Sequence, residues 1–199
     1  MPNSSFRLCS LALILLIHFT PATSSADDEP IVVTSVMDVT DDDDGVLTLR
    51  EAIEQAKTNG HDDDIITFAN SLDGGKITLA SPLPLLLQED TCTTDCSFTI
   101  GGDNAHVTIS GDNEHRVFFV TNNTDVVLSN LTIADGLAQG GDGAGNGGGG
   151  LGAGGGVFVD NRGVLTLSDV SFESNAAQGG DGGTGGTGGT GLPLEESDS

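Results

Sequence analysis

The stretch VFFVTNNTDVVLSNLTIADGLAQGGDG, residues 117–143, recurs with substitutions as GVFVDNRGVLTLSDVSFESNAAQGGDG, residues 156–182, at a shift of 39 positions. Under that shift Phe119-Val120 falls on Phe158-Val159, and Leu128-Ser129-Asn130-Leu131-Thr132-Ile133 on Leu167-Ser168-Asp169-Val170-Ser171-Phe172. The six residues Ala138–Gly143 and Ala177–Gly182 are identical. A fixed period of this length marks a repeat architecture. Within each copy, apolar residues alternate with Thr or Ser over three or four positions, the pattern of a half-buried strand.

Similar short runs extend towards the N-terminus: Ile65–Phe68, Ile77–Leu79, Phe98–Ile100 and Val107–Ile109. Turn residues separate them, among them Gly101-Gly102-Asp103-Asn104 and Ser110-Gly111-Asp112-Asn113. Strands this short make poor hairpins in an open sheet but suit a solenoid that turns every few residues. The period reads as a coil of roughly 20 residues plus a glycine-rich excursion. Gly136 falls on Asn175, and both residue types accept a positive φ, so both copies are expected to turn there. Residues 136–156 hold 13 Gly and residues 179–191 hold 9, of 30 in the chain. Such tracts are expected to be mobile or loosely packed loops.

Leu49 to about Asn59 reads as a helix. Thr48 and Glu51 form a T-x-x-E capping box, and Leu49, Ala52, Ile53 and Ala56 make one apolar stripe. The stripe needs an apolar surface to cover, and the exposed first coil of a solenoid is such a surface.

Asp38-Val39-Thr40, Gly45–Ile53, Asp64–Phe68 and Ile77–Leu79 together resemble the N-terminal CSLREA-type domain of secreted bacterial right-handed parallel β-helix proteins. Gly154–Val159 and Gly163–Ala177 resemble the coils of pectate-lyase-like and polymorphic outer-membrane-protein-like β-helices. The likeness spans most of residues 36–180. It implies an all-β, right-handed parallel β-helix with an N-terminal amphipathic capping helix, and an exported or surface-exposed protein. The fold hosts many activities, so it implies little about chemistry. The family motif's Cys and Ser are here Leu47 and Thr48, so its disulfide pattern does not carry over.

Composition narrows the function. The 199 residues carry 30 acids and 6 Lys or Arg, a formal charge of −24, with no Trp or Tyr. Nucleic acid and anionic membrane surfaces need clustered cations, so both are excluded. Arg7, the apolar run Leu8–Phe19 and the small residues Ser24-Ser25-Ala26 read as a secretory leader, cleaved near Ala26–Asp27. Its loss leaves no membrane span and places the protein outside the cell or on its surface. The two cysteines that remain, Cys92 and Cys96, are then expected to form a disulfide closing a small loop.

The chain therefore divides into a signal peptide (1–26), an acidic segment with the cap helix (27–64), β-helix coils (65–178) and a disordered glycine-rich, acidic tail (179–199). No catalytic constellation is evident. Lyases of this fold use calcium-binding carboxylates with a basic residue, and hydrolases use paired carboxylates. The cations are scattered: Arg50 and Lys57 lie on the cap helix, and Arg116 sits among Asp112, Glu114 and His115, which reads as a solvated turn. His61, His106 and His115 adjoin turn residues and read as surface groups.

The runs Asp41–Asp44 and Asp62–Asp64 are the remaining chemistry. Residues 40–51 align in part with a calcium loop, with Asp42, Asp44, Gly45 and Glu51 at its third, fifth, sixth and twelfth positions. Its first position is Thr40, and Glu51 is also claimed by the capping box. Asp42, Asp44 and Asp63 are the candidate calcium ligands, and a solvated acidic turn is the favoured reading. The expected role is a structural or adhesive module without catalytic activity. A calcium-dependent polysaccharide-active or polysaccharide-binding protein is the alternative, and a fragment of a longer exoprotein a third reading. Expected partners are a surface polysaccharide, a protein, or a second copy meeting an uncapped C-terminal coil.

Overall fold

The structure is a computed structural model that describes residues 29–41, 43–59, 63–87, 96–102, 104–121 and 123–185. In chain order it contains β1 (Ile31–Val33), α1 (Leu49–Thr58), β2 (Asp63–Phe68), β3 (Lys76–Thr78), β4 (Cys96–Gly101) and β5 (Val107–Ser110). β6 (Phe118–Val120), β7 (Thr124–Ala134), β8 (Leu137–Gln139), β9 (Val157–Val159), β10 (Val164–Glu173) and β11 (Ala176–Gln178) follow. Every strand pairing is parallel and joins one coil to the next, so the fold is a parallel β-helix.

Three faces follow from the pairings. On the first, β1, β2, β4, the first half of β7 and the first half of β10 stack in that order. Ile31, Ile66, Ile100, Leu128 and Leu167 form one column there, so successive coils are 35, 34, 28 and 39 residues long. The coil is longer than its strands suggested, because corners and connections take up most of the shortest turn. On the second face β3, β5 and the second halves of β7 and β10 align Ile77, Ile109, Ile133 and Phe172. The third is made by β6 and β9, with Leu86 bridging to Val120, and by the small pair β8 and β11. The period of 39 in the sequence is the hydrogen-bond register itself: Phe119 pairs with Phe158, Leu128 with Leu167 and Gln139 with Gln178.

The inward columns are the core. Ile66, Ile100, Leu128, Ile77, Ile109 and Ile133 are fully buried, each worth about 2 kcal/mol relative to exposure. Leu49, Ala52, Ile53 and Ala56 of α1 are also buried, and the helix packs on β1 and β2, closing the N-terminal end.

Corners between faces are cut by residues in the left-handed region, which recur at the same period. They are Asn123 and Arg162 (φ 59° and 66°), Asn130 and Asp169 (52° and 54°), and Asp135 and Ser174 (50° and 53°). The last pair lies one residue before Gly136 and Asn175, which were expected to turn. Gly136 is needed for close approach instead. A Cβ there would press on the Gly155 carbonyl and on Asn175 Oδ1. Asn175 braces the corner, accepting the Gly136 N–H at 2.8 Å and donating to the Ile133 carbonyl at 2.7 Å.

The glycine tracts are not loose where they are described. Three passes, 140–143, 147–152 and 179–183, bond to one another through Gly143 N–H to Asp181 O (2.7 Å), Gly150 to Gly141 (2.7 Å), Gly180 to Gly150 (2.9 Å) and Gly183 to Gly147 (2.8 Å). The backbones meet so closely that a Cβ on Gly149 would overlap the Gly180 carbonyl, and one on Gly152 the Gln178 carbonyl. At these positions backbone occupies the space that a side chain would need. Residues 186–199, the rest of the expected disordered tail, lie outside the described residues. Gly149→Ala and Gly152→Ala should each cost on the order of 1–3 kcal/mol by overpacking. Gly148→Ala, where nothing lies within 4 Å of the added methyl, should stay within about 0.5 kcal/mol. Thermal melts followed by circular dichroism check the contrast.

Candidate functional site

Polar chemistry concentrates at the N-terminal cap. The Thr48 side chain accepts the Glu51 N–H at 3.3 Å, and Glu51 Oε2 accepts the Thr48 N–H at 2.8 Å, completing the capping box. Glu51 Oε1 accepts the Asp41 N–H at 2.7 Å, tying the acidic segment to the helix. Next to it Arg50 grips Asp38 with two hydrogen bonds, Nε to Oδ1 at 2.9 Å and Nη2 to Oδ2 at 2.7 Å. The Asp38 side chain is 2% exposed. The same guanidinium donates to the Ser81 and Pro82 carbonyls, and Asp38 Oδ2 also accepts the Ala80 N–H. One ion pair therefore joins the leading segment, the helix and the chain that follows β3. A planar fork with five donors is what such a junction requires, and Lys would not supply it.

Of the calcium candidates, Asp44 and Asp63 lie among the described residues, and each accepts a hydrogen bond. Asp44 Oδ1 accepts the Val46 N–H at 2.9 Å, and Asp41 Oδ1 accepts the Asp43 N–H at 3.2 Å, as in side-chain-closed turns. Asp63 opens β2 and accepts the Ser97 hydroxyl at 2.7 Å across one rung. Asp42 lies outside the described residues. Glu51, the twelfth position of the partial loop, has both oxygens occupied by the cap. Among the described residues no group of three or more His, Cys, Asp and Glu could hold a metal ion. Cys92 and the Cys96 side chain, the expected disulfide, also lie outside the described part.

Other polar groups join neighbouring coils. Asp135 accepts from Ser110 Oγ at 2.9 Å and from Lys76 Nζ at 3.1 Å, linking three successive rungs of the second face. His106 is half-buried rather than a free surface group, with Nδ1 2.9 Å from Asn130 Oδ1 and Nε2 2.9 Å from Thr132 Oγ1. Arg116 is not a solvated turn residue either. It donates to the Gly154 and Ala153 carbonyls at 2.9 and 2.8 Å and stacks 5.2 Å from the Phe119 ring and 5.0 Å from the Phe158 ring. It pins the chain returning from the glycine excursion. Its role was hidden in the sequence because its partners are backbone carbonyls 37 and 38 residues away.

Two carboxyls are held below their ordinary range. The Thr48 N–H lowers Glu51 most, helped by the Asp41 N–H and the Thr48 hydroxyl and opposed by burial. Asp135 is lowered first by Ser110 and then by Lys76.

No protein-family description, no curated protein and no solved structure matches the chain.

The ionised Glu51 stabilises the fold at pH above the carboxyl's ordinary value of 4.5, and that contribution disappears as pH falls through the lower folded value. Glu51→Gln should therefore lower Tm at pH 7, with the gap to wild type narrowing below about pH 4.5. Thr48→Ala should cost about 1 kcal/mol at neutral pH. Melts over a pH series check both.

Proposed function

We propose that the chain is an exported, surface-exposed, non-catalytic β-helix module, which presents its outer β faces and loops to a surface polysaccharide or protein partner. The observation that carries this reading is how the described polar side chains are used. Arg50, Glu51, Lys76, Asp135, His106 and Arg116 each hold one chain segment to another, through the bonds given above, rather than converging on a cleft. A site for acid–base chemistry needs such groups aimed at one point.

The leader-like residues 1–26 and the net charge of −24 support export and solubility. Among the described residues no helix is long and apolar enough to cross a membrane. The resemblance of Asp38–Ile53 to the CSLREA-type segment fits the same reading. The residues that carry it, Asp38, Thr48, Arg50 and Glu51, are those that build the cap.

The exported chain should begin at Asp27, read by intact mass and N-terminal sequencing. Its Tm should be the same in millimolar calcium and in chelator, and it should release no unsaturated or reducing sugar from acidic polysaccharides. A rise in Tm with calcium would report a site in the folded state, since saturating a site about a hundredfold adds about 2.7 kcal/mol. With polysaccharide turnover as well, it would replace this proposal with the calcium-dependent alternative.

A further inference from the structure

The two ends of the solenoid differ. The N-terminal end carries α1 across β1 and β2, and the chain after β1 is bonded to Leu47 through Thr34 and Ser35. At the C-terminal end β10 pairs with β7 alone, and no described strand covers its other edge. The inward columns show the consequence. Leu128 and Ile133 are fully buried, whereas their stacked successors Leu167 and Phe172 are 45% and 46% exposed. An edge of this kind offers unpaired N–H and C=O groups beside an apolar surface.

The form of β10 specifies what fits it. The strand bends at Asp169 (φ 54°), as β7 does at Asn130, where β4 covers the first half and β5 the second. The two arms, Val164–Ser168 and Asp169–Glu173, have five residues each. Their inward residues are Leu165 and Leu167 on one arm, and Val170 and Phe172 on the other, in register with the buried Val126, Leu128, Leu131 and Ile133. This order is symmetric about the corner. A two-fold axis along the bisector of the corner, at Ser168-Asp169, lays each arm antiparallel on the other arm of a second copy. Leu165 then faces Phe172 of the second copy and Leu167 faces Val170, all four on the core side. Asp169 faces Ser168 and Glu173 faces Val164, so no two like charges lie directly opposite.

We propose that the C-terminal coil is the docking surface for a second copy of this chain, in an end-to-end, two-fold dimer with β10 antiparallel to β10. Such an interface is closed and self-complementary. Head-to-tail stacking is disfavoured, because a bent ten-residue edge would have to meet the three-residue β1 beside α1. The charge of −24 on each copy opposes association, and added salt screens it.

The test uses the purified exported chain, from Asp27 onward, in sedimentation from about 1 to about 100 µM, at about 0.02 M and 0.5 M NaCl. A monomer–dimer equilibrium stopping at two copies and tightening with salt is expected. Leu167→Asp should abolish it, with a cooperative melt showing that the variant folds. Should that variant fail to fold, cross-linking decides independently. Thr166 and Ser171 point outward and face each other across the two-fold. Oxidising an equal mixture of Thr166→Cys and Ser171→Cys chains should therefore give a 166–171 disulfide-linked dimer. Each variant alone should give none through these positions, with the native cysteines distinguished by peptide mapping. Monomer at every concentration and salt overturns the proposal. So does growth past two copies, or cross-links within one variant alone. A monomer whose β10 amides are protected from hydrogen exchange also overturns it, pointing to residues 186–199 as the cover.

Discussion

A coil of a parallel solenoid buries nothing by itself, and its inward side chains are dry only where the next coil lies over them. The rest of the molecule follows from that constraint. Interior columns such as Ile66–Ile100–Leu128 are sealed on both sides. Each terminal coil needs a cover of another kind. At one end the cover is α1, whose stripe of Leu49, Ala52, Ile53 and Ala56 is buried as the helix packs on β1 and β2. At the other, no described strand lies over β10, and Leu167 and Phe172 are half in solvent. Among the described residues, one end of the solenoid is thus covered by a helix and the other presents the free edge of β10.

In-register stacking also determines how charge is used. A chain with 30 acids and 6 Lys or Arg has few cations to distribute. Arg50 closes the cap on Asp38, Lys76 reaches Asp135 from a rung two coils away, and Arg116 holds the exit of the glycine excursion. None of the buried side-chain nitrogen or oxygen atoms described is left without a partner, as a low-dielectric interior requires. Asp64 is buried in β2, whereas described acids such as Asp43, Asp44, Asp63 and Asp142 are exposed, where they favour solubility and oppose indiscriminate edge-to-edge contact.

The glycine excursions obey the same packing logic without side chains. Where the passes of the tract stack, at Gly140, Gly149, Gly152 and Gly180, backbone meets backbone at distances that leave no room for a Cβ. Composition alone suggests looseness, because glycine adds entropy to an unfolded chain. Stacking reverses that expectation, since the same lack of a side chain allows the passes to bond to one another.

Local chemistry in the sequence determined the repeat, the strand segments, the capping box and the apolar stripe of α1, because each rests on residues near one another along the chain. Even the register was legible, since the shift aligning the two copies is the spacing that stacks them. Only the tertiary structure decided the rest. β1 is a three-residue strand with no alternation to mark it, and it exists because β2 offers an edge. The corner fell at Asp135 and Ser174 rather than one residue later because Asn175 had to reach Ile133 and Gly136 had to yield space. The roles of His106, Arg116 and Asp38 depend on partners 12 to 42 residues distant, and of the candidate calcium carboxylates Asp44 accepts a turn amide and Asp63 a serine hydroxyl across one rung. Sequence patterns report what a residue prefers locally, whereas which groups meet is set by the stacking of coils, and that is a property of the whole chain.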